Sequence, residues 1–96
     1  MPYPNEHAAR IIAPEEFRKN SFRRTKGGRA LLPGAGMIEV PKSISIIWGK
    51  LSSDNRLTVQ ALRFPIEYWT ADEAKKWLKK NNVEYILFEP AQNKKQ

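Results

Sequence analysis

Along the second half of the chain, apolar and polar positions follow two different periods. Ser43-Ile44-Ser45-Ile46-Ile47-Trp48 alternates with period two and puts Ile44, Ile46 and Trp48 on one face of a strand. Gly49 follows, as a terminator or a bulge. Ser52-Ser53-Asp54-Asn55 is turn chemistry, so Leu57–Phe64 reads as the antiparallel partner of the first run. Its apolar parity slips between Ala61 and Leu62, which predicts a bulge there or burial on both faces. After Pro65 the period becomes helical. Thr70 and Glu73 form a capping box, Ala71, Ala74, Trp77 and Leu78 share one face, and acids precede lysines along the dipole. Asn81 and Asn82 can turn left-handed and stop this helix. Val83–Phe88 reads as a third strand, closed by Pro90.

The first 36 residues carry weaker patterns. Pro2 and Pro4 favour an extended start, and Ala8, Ile11 and Ile12 share an apolar edge. Pro14-Glu15-Glu16-Phe17 opens a short helix expected to end near Asn20, with Phe17 and Phe22 anchoring it to the core. Thr25–Gly36 is expected to be loop, broken by Gly27-Gly28 and Pro33-Gly34. The expected fold is α+β. A β-β-α-β core over 37–91 has a three-stranded, mostly antiparallel sheet with the Thr70–Lys80 helix on one face. A crossover sets the third strand parallel to the second. Residues 1–36, a basic segment with a short helix, wrap across this core as part of the same fold, and 92–96 form a disordered tail.

Ninety-six residues suit one small domain whose core depends on a few large side chains, Trp48, Trp69 and Trp77 among them. The absence of cysteine removes disulfides, thiolate metal sites and a cysteine nucleophile. No apolar run is long enough for a bilayer, and Met1–His7 lacks the order of a signal peptide. A soluble, non-secreted protein without a membrane partner is expected. The net charge of +7 is uneven. Arg18, Lys19, Arg23, Arg24, Lys26 and Arg29 form a basic run without an acid, suited to phosphates or an acidic protein. Lys75, Lys76, Lys79 and Lys80 make a second patch on the helix.

Candidate chemistry is sparse. Asn5, Glu6, His7 and Arg10 form a polar cluster that the folding pattern does not explain. A Glu6–His7 acid–base pair is conceivable, but sequence neighbours seldom face the same way. One histidine with scattered carboxylates makes a poor metal site, and no cofactor is expected. Lys26-Gly27-Gly28-Arg29 lacks the spacing of a P-loop. Nucleic-acid binding through the basic run is the stronger possibility, with Phe22 available for stacking. A sheet reader would add Phe64, Tyr85 and Phe88.

Pro4-Asn5-Glu6-His7-Ala8-Ala9-Arg10 resembles the opening of a family of small uncharacterised proteins and domains of bacteriophages, prophages and viral metagenomes. The likeness continues in Ser21–Arg24, Ile47–Leu51, Val59–Pro65, Trp69–Ala74, Trp77-Leu78 and Phe88–Ala91. It implies a viral origin, near or fused to head-assembly and prohead-protease genes, and a place in the host cytoplasm or the virion. The resemblance transfers no functional residue. A serine protease would need a serine with a base and an orienting group, and His7 is the sole candidate base. The expectation is a non-enzymatic assembly module that binds another viral protein or itself. The alternative is a protein holding DNA or RNA phosphates through residues 18–29.

Overall fold

The computed structural model describes residues 4–92. The two alternating runs become the middle of a larger sheet. In chain order the elements are β1 (Glu6–Arg10), a 3-10 turn (Pro14–Glu16), β2 (Arg23–Leu32), β3 (Gly36–Lys50), β4 (Leu57–Pro65), α1 (Ala71–Lys80) and β5 (Leu87–Glu89). The strands form one sheet in the order β2-β3-β4-β1-β5, with every neighbouring pair antiparallel. The fold is therefore α+β, as expected, but its sheet has five strands rather than three.

Both extra strands come from the N-terminal segment. Residues 6–10 do not wrap across the core. They lie inside the sheet, between β4 and β5, with Ala8 and Ala9 almost fully buried. Alanine is small enough to sit between neighbours on both faces. The supposed loop 25–36 is mostly strand, because its two breakers have other uses. Gly27 (φ 63°) and Gly28 (φ 113°) make a wide irregularity opposite Val40–Ser45, and Pro33-Gly34-Ala35 turns the hairpin. A Cβ on Gly27 would sit 2.6 Å from the Val40 carbonyl oxygen, so the two backbones cross here at glycine distance. The hairpin beyond it bends over the helix side of the sheet and buries Ala30, Leu32 and Val40 in the core. Its tip meets the chain after α1, where Glu84 N–H donates to the Pro33 carbonyl at 2.8 Å.

The short helix after Pro14 shrinks to a three-residue 3-10 turn, because Phe17 turns extended, bridges Leu51 and buries its ring. Phe17 and Phe22 pack over Gly49, which continues β3 because a side chain there would strike both rings. The register of β4 slips at Gln60, between the pairs Ile47–Ala61 and Trp48–Val59, just before the expected Ala61–Leu62 step, and Val59–Leu62 are all buried as the second alternative requires. Helix α1 has the expected cap: Glu73 N–H donates to Thr70 Oγ1 at 3.1 Å, and Thr70 N–H to Glu73 Oε1 at 3.0 Å. Asn82 takes the left-handed conformation at its end, with φ 59°. Of the third predicted strand, Val83–Phe88, only Leu87 and Phe88 join the sheet, with Glu89 added, as β5. It pairs with β1, which separates it from β4, to which it runs parallel. Residues 93–96, most of the expected tail, lie outside the described residues, as do 1–3.

The alternation of the strands splits the sheet into two faces. Ala9, Ile46, Leu62 and Phe64 point toward α1 and pack with Ala74 and Leu78. Phe64 is fully buried and meets Trp69 and Trp77 edge-on, at ring distances of 5.4 and 6.1 Å. Ala8, Ser45, Ile47, Ala61 and Arg63 have the opposite parity and line the face that α1 does not cover.

A cationic sheet face as the candidate binding site

The open face is built by register. Arg24 of β2 lies beside Ile47 of β3, Ile47 beside Ala61 of β4, and Ala61 beside Arg10 of β1. The next row runs Lys26, Ser45, Arg63, Ala8, Glu89. Small side chains thus form a floor, and long cationic ones rise around it. Their aliphatic stems cover apolar surface while the guanidinium groups stay at the rim.

Glu6 ties this face together. Arg24 donates to both its oxygens, at 2.6 and 3.0 Å, and Arg63 donates to Oε1 at 3.1 Å. The forked hydrogen bond from Arg24 is the main reason the Glu6 carboxyl titrates below its ordinary range. Burial opposes the shift and Arg63 reinforces it. Arg24 also reaches Ser45 Oγ at 3.3 Å. The Arg24–Glu6–Arg63 bridge divides the face into two depressions. One, about 380 Å³, is walled by Arg10, Phe22, Arg23 and Arg63 over Ala8 and Ala61. The other, about 740 Å³, is more polar and includes Lys26, Lys42, Ser45, Glu67 and Tyr68. At the far side Arg10 pairs with Glu89 at 3.3 Å.

The cluster Asn5, Glu6, His7 and Arg10 now has a structural account. Glu6 and Arg10 face the open side and make the ion pairs above. His7 faces the helix side, so Glu6 and His7 do not act as a pair on one substrate. His7 Nδ1 accepts the Ala91 N–H at 2.8 Å, and Nε2 lies 3.1 Å from the Trp69 carbonyl oxygen. Its ring stacks on Phe88 at 6.2 Å. His7 therefore clips the segment after β5 and the entry to α1 onto the interior strand β1. The Asn5 carbonyl accepts from Ile66 N–H at 3.1 Å.

The basic run does not form one patch. Arg18 and Lys19 sit exposed on the turn before β2. Arg24 and Lys26 belong to the open face, and Arg29 lies beyond the Gly27-Gly28 irregularity. Arg23 straddles the sheet edge. It lines the smaller open-face depression and also a hollow on the other side with Thr25, Arg29 and Trp48. The helix lysines are on the opposite layer, where Lys75 lies over the Phe88 ring at 5.2 Å. The aromatic sheet reader is not formed. Phe64 is core, and Tyr85 and Phe88 pack together on the helix side.

Arg63 was missed in the sequence, although an arginine between Leu62 and Phe64 in an apolar strand signals an outward position. Its partner Glu6 is invisible until β1 and β4 are paired. Among the described residues no cluster of three potential metal ligands occurs, and no helix is long and apolar enough to cross a membrane. No protein-family model matches the chain, nor does any curated protein or solved structure.

Proposed function

We propose that this chain is a non-enzymatic interaction module of a viral assembly, and that it receives an acidic segment of a partner protein at the open face of its sheet. One observation carries the reading. The face left bare by α1 gathers Arg10, Arg23, Arg24, Lys26, Lys42 and Arg63 around a floor of small residues, against the carboxylates of Glu6, Glu67 and Glu89. The excess of positive charge attracts an acidic partner, and Glu6 demonstrates the carboxylate geometry that these guanidinium groups accept. The viral setting rests on the family resemblance of the sequence.

Single-stranded nucleic acid is the second reading, favoured by Phe22, which is 42% exposed beside Arg23. It is weaker because the cations are shared between faces and because Phe22 and Tyr68 line separate depressions rather than one stacking track. Fluorescence anisotropy separates the two. The probes are a blocked eight-residue peptide alternating glutamate and threonine and a thymidine oligonucleotide of equal charge, at about 0.1 M salt. The peptide is expected to bind more tightly, and Arg23→Glu to remove its binding. Arg23 is exposed and outside the Glu6 bridge, so this substitution leaves the fold intact. Tight oligonucleotide binding without peptide binding would replace the proposal with the second reading.

A further inference from the structure

The proposed acidic partner leaves one question of mechanism: how a shallow face holds an extended segment. We infer that the segment binds as a sixth strand, added to the outer edge of β2, with its acidic side chains turned toward Arg24 and Lys26. The inference rests on the reading of the open face given above.

Strand β2 is the end of the sheet, so among the described residues its outer edge has no neighbouring strand. Every second residue of an edge strand turns its N–H and C=O outward, which is a template for another chain. The straight part of this edge is short. Arg23, Arg24, Thr25 and Lys26 pair regularly with Trp48, Ile47, Ile46 and Ser45, and the Gly27-Gly28 irregularity then re-aims the strand. That length suits a brief added strand.

The chemistry of the edge selects its occupant. It carries Arg23, Arg24 and Lys26, with Arg29 following and no acid. A second copy offering the same edge would bring like charges together, so self-pairing through β2 is opposed. An acidic segment meets opposite charge instead. Both sides of the edge are also hollowed. The open-face depression includes Arg23 and Arg24, and the hollow on the helix side includes Arg23, Thr25 and Arg29. Successive side chains of an added strand point to opposite faces, so a segment of alternating character fits both sides at once. Backbone pairing then supplies affinity, and the two hollows supply specificity.

The other edge of the sheet differs in kind. Strand β5 has three residues, begins with exposed Leu87 after exposed Ile86, and carries no comparable positive charge. Nothing about it selects an acidic segment.

The test uses the full chain and the glutamate–threonine peptide in three forms: unmodified, N-methylated at every glutamate, and N-methylated at every threonine. In a strand ladder only alternate amides face the neighbour. One methylated form is therefore expected to bind about tenfold more weakly, through loss of its inter-strand hydrogen bonds, and the other to bind much like the parent. Hydrogen exchange read by NMR is expected to slow at outward amides among Arg23–Lys26 when the unmodified peptide is added. Equal behaviour of the two methylated forms, or no slowing in β2, overturns strand addition while the open face stands as a binding surface. Failure of the unmodified peptide to bind overturns the proposed function and this inference together.

Discussion

Replacing Glu6 with glutamine removes one negative charge from between Arg24 and Arg63 and changes the shape of the site little. The two contacts contribute unequally. Arg24 is 45% exposed, so its forked pair with Glu6 is screened by water and contributes about 0.5–1 kcal/mol. Arg63 and Glu6 are only 13% and 15% exposed, and a hydrogen bond between charged groups in that setting contributes about 1.5–3 kcal/mol. The expected loss at neutral pH is roughly 2–4 kcal/mol, a large share of the about 5–15 kcal/mol typical of a domain. The pH dependence separates charge from shape. Glu6 titrates below the ordinary value of 4.5 in the folded chain, chiefly because of Arg24. Its stabilisation is then complete above that ordinary value and is lost as pH falls through the lower folded one. Urea unfolding followed by tryptophan fluorescence should show the wild type ahead of Glu6→Gln at pH about 7. The two should converge as the pH falls through the lowered folded value, since the protonated carboxyl and the amide are both neutral. A gap that keeps its size throughout the acid titration would refute the ionic account and assign the cost to packing.

Other substitutions test the framework that presents this face. Gly27→Ala combines left-handed backbone with a carbonyl oxygen 2.6 Å from the new Cβ, so a loss of about 3 kcal/mol or more is expected. Gly28→Ala meets nothing within 4 Å and should cost only backbone strain, about 1 kcal/mol; equal losses would remove the close crossing as the cause. Thr70→Ala should destabilise by about 1 kcal/mol in the same urea assay and Thr70→Ser by much less, since the hydroxyl cap survives. Phe64→Ala empties a fully buried site between two tryptophans and should cost about 3–5 kcal/mol, with altered tryptophan emission in the folded state. A loss under 1 kcal/mol would mean that Phe64 is not at the centre of the core.

The parts legible in the sequence are those set by local chemistry. The α1 cap needs only Thr70 and Glu73, and the β3–β4 pair needs two alternating runs and a turn. What escaped depended on partners distant in sequence. In β1 the polar residues Glu6, His7 and Arg10 hide an interior strand, because their partners Arg63, Trp69, Glu89 and Ala91 come more than 50 residues later. In β2 the paired glycines look like breakers, but they let the strand cross its neighbour without ending it. The open face was half legible. Arg23, Arg24 and Lys26 stood out as charge, whereas Arg10 and Arg63 join them only through strand register. The aromatic positions misled for the complementary reason: parity turns Phe64 and Phe88 toward the helix rather than to solvent.

The central claim is that the uncovered sheet face, not the lysine-rich helix, receives an acidic partner. Titrating the isotopically labelled chain with the glutamate–threonine peptide and following its NMR spectrum tests this directly. The account predicts shifts at Ser45, Ile47, Ala61 and Arg63 and in the arginine Nε–H signals, with Lys75–Lys80 unmoved. Shifts confined to the helix residues, with the open face silent, would contradict it.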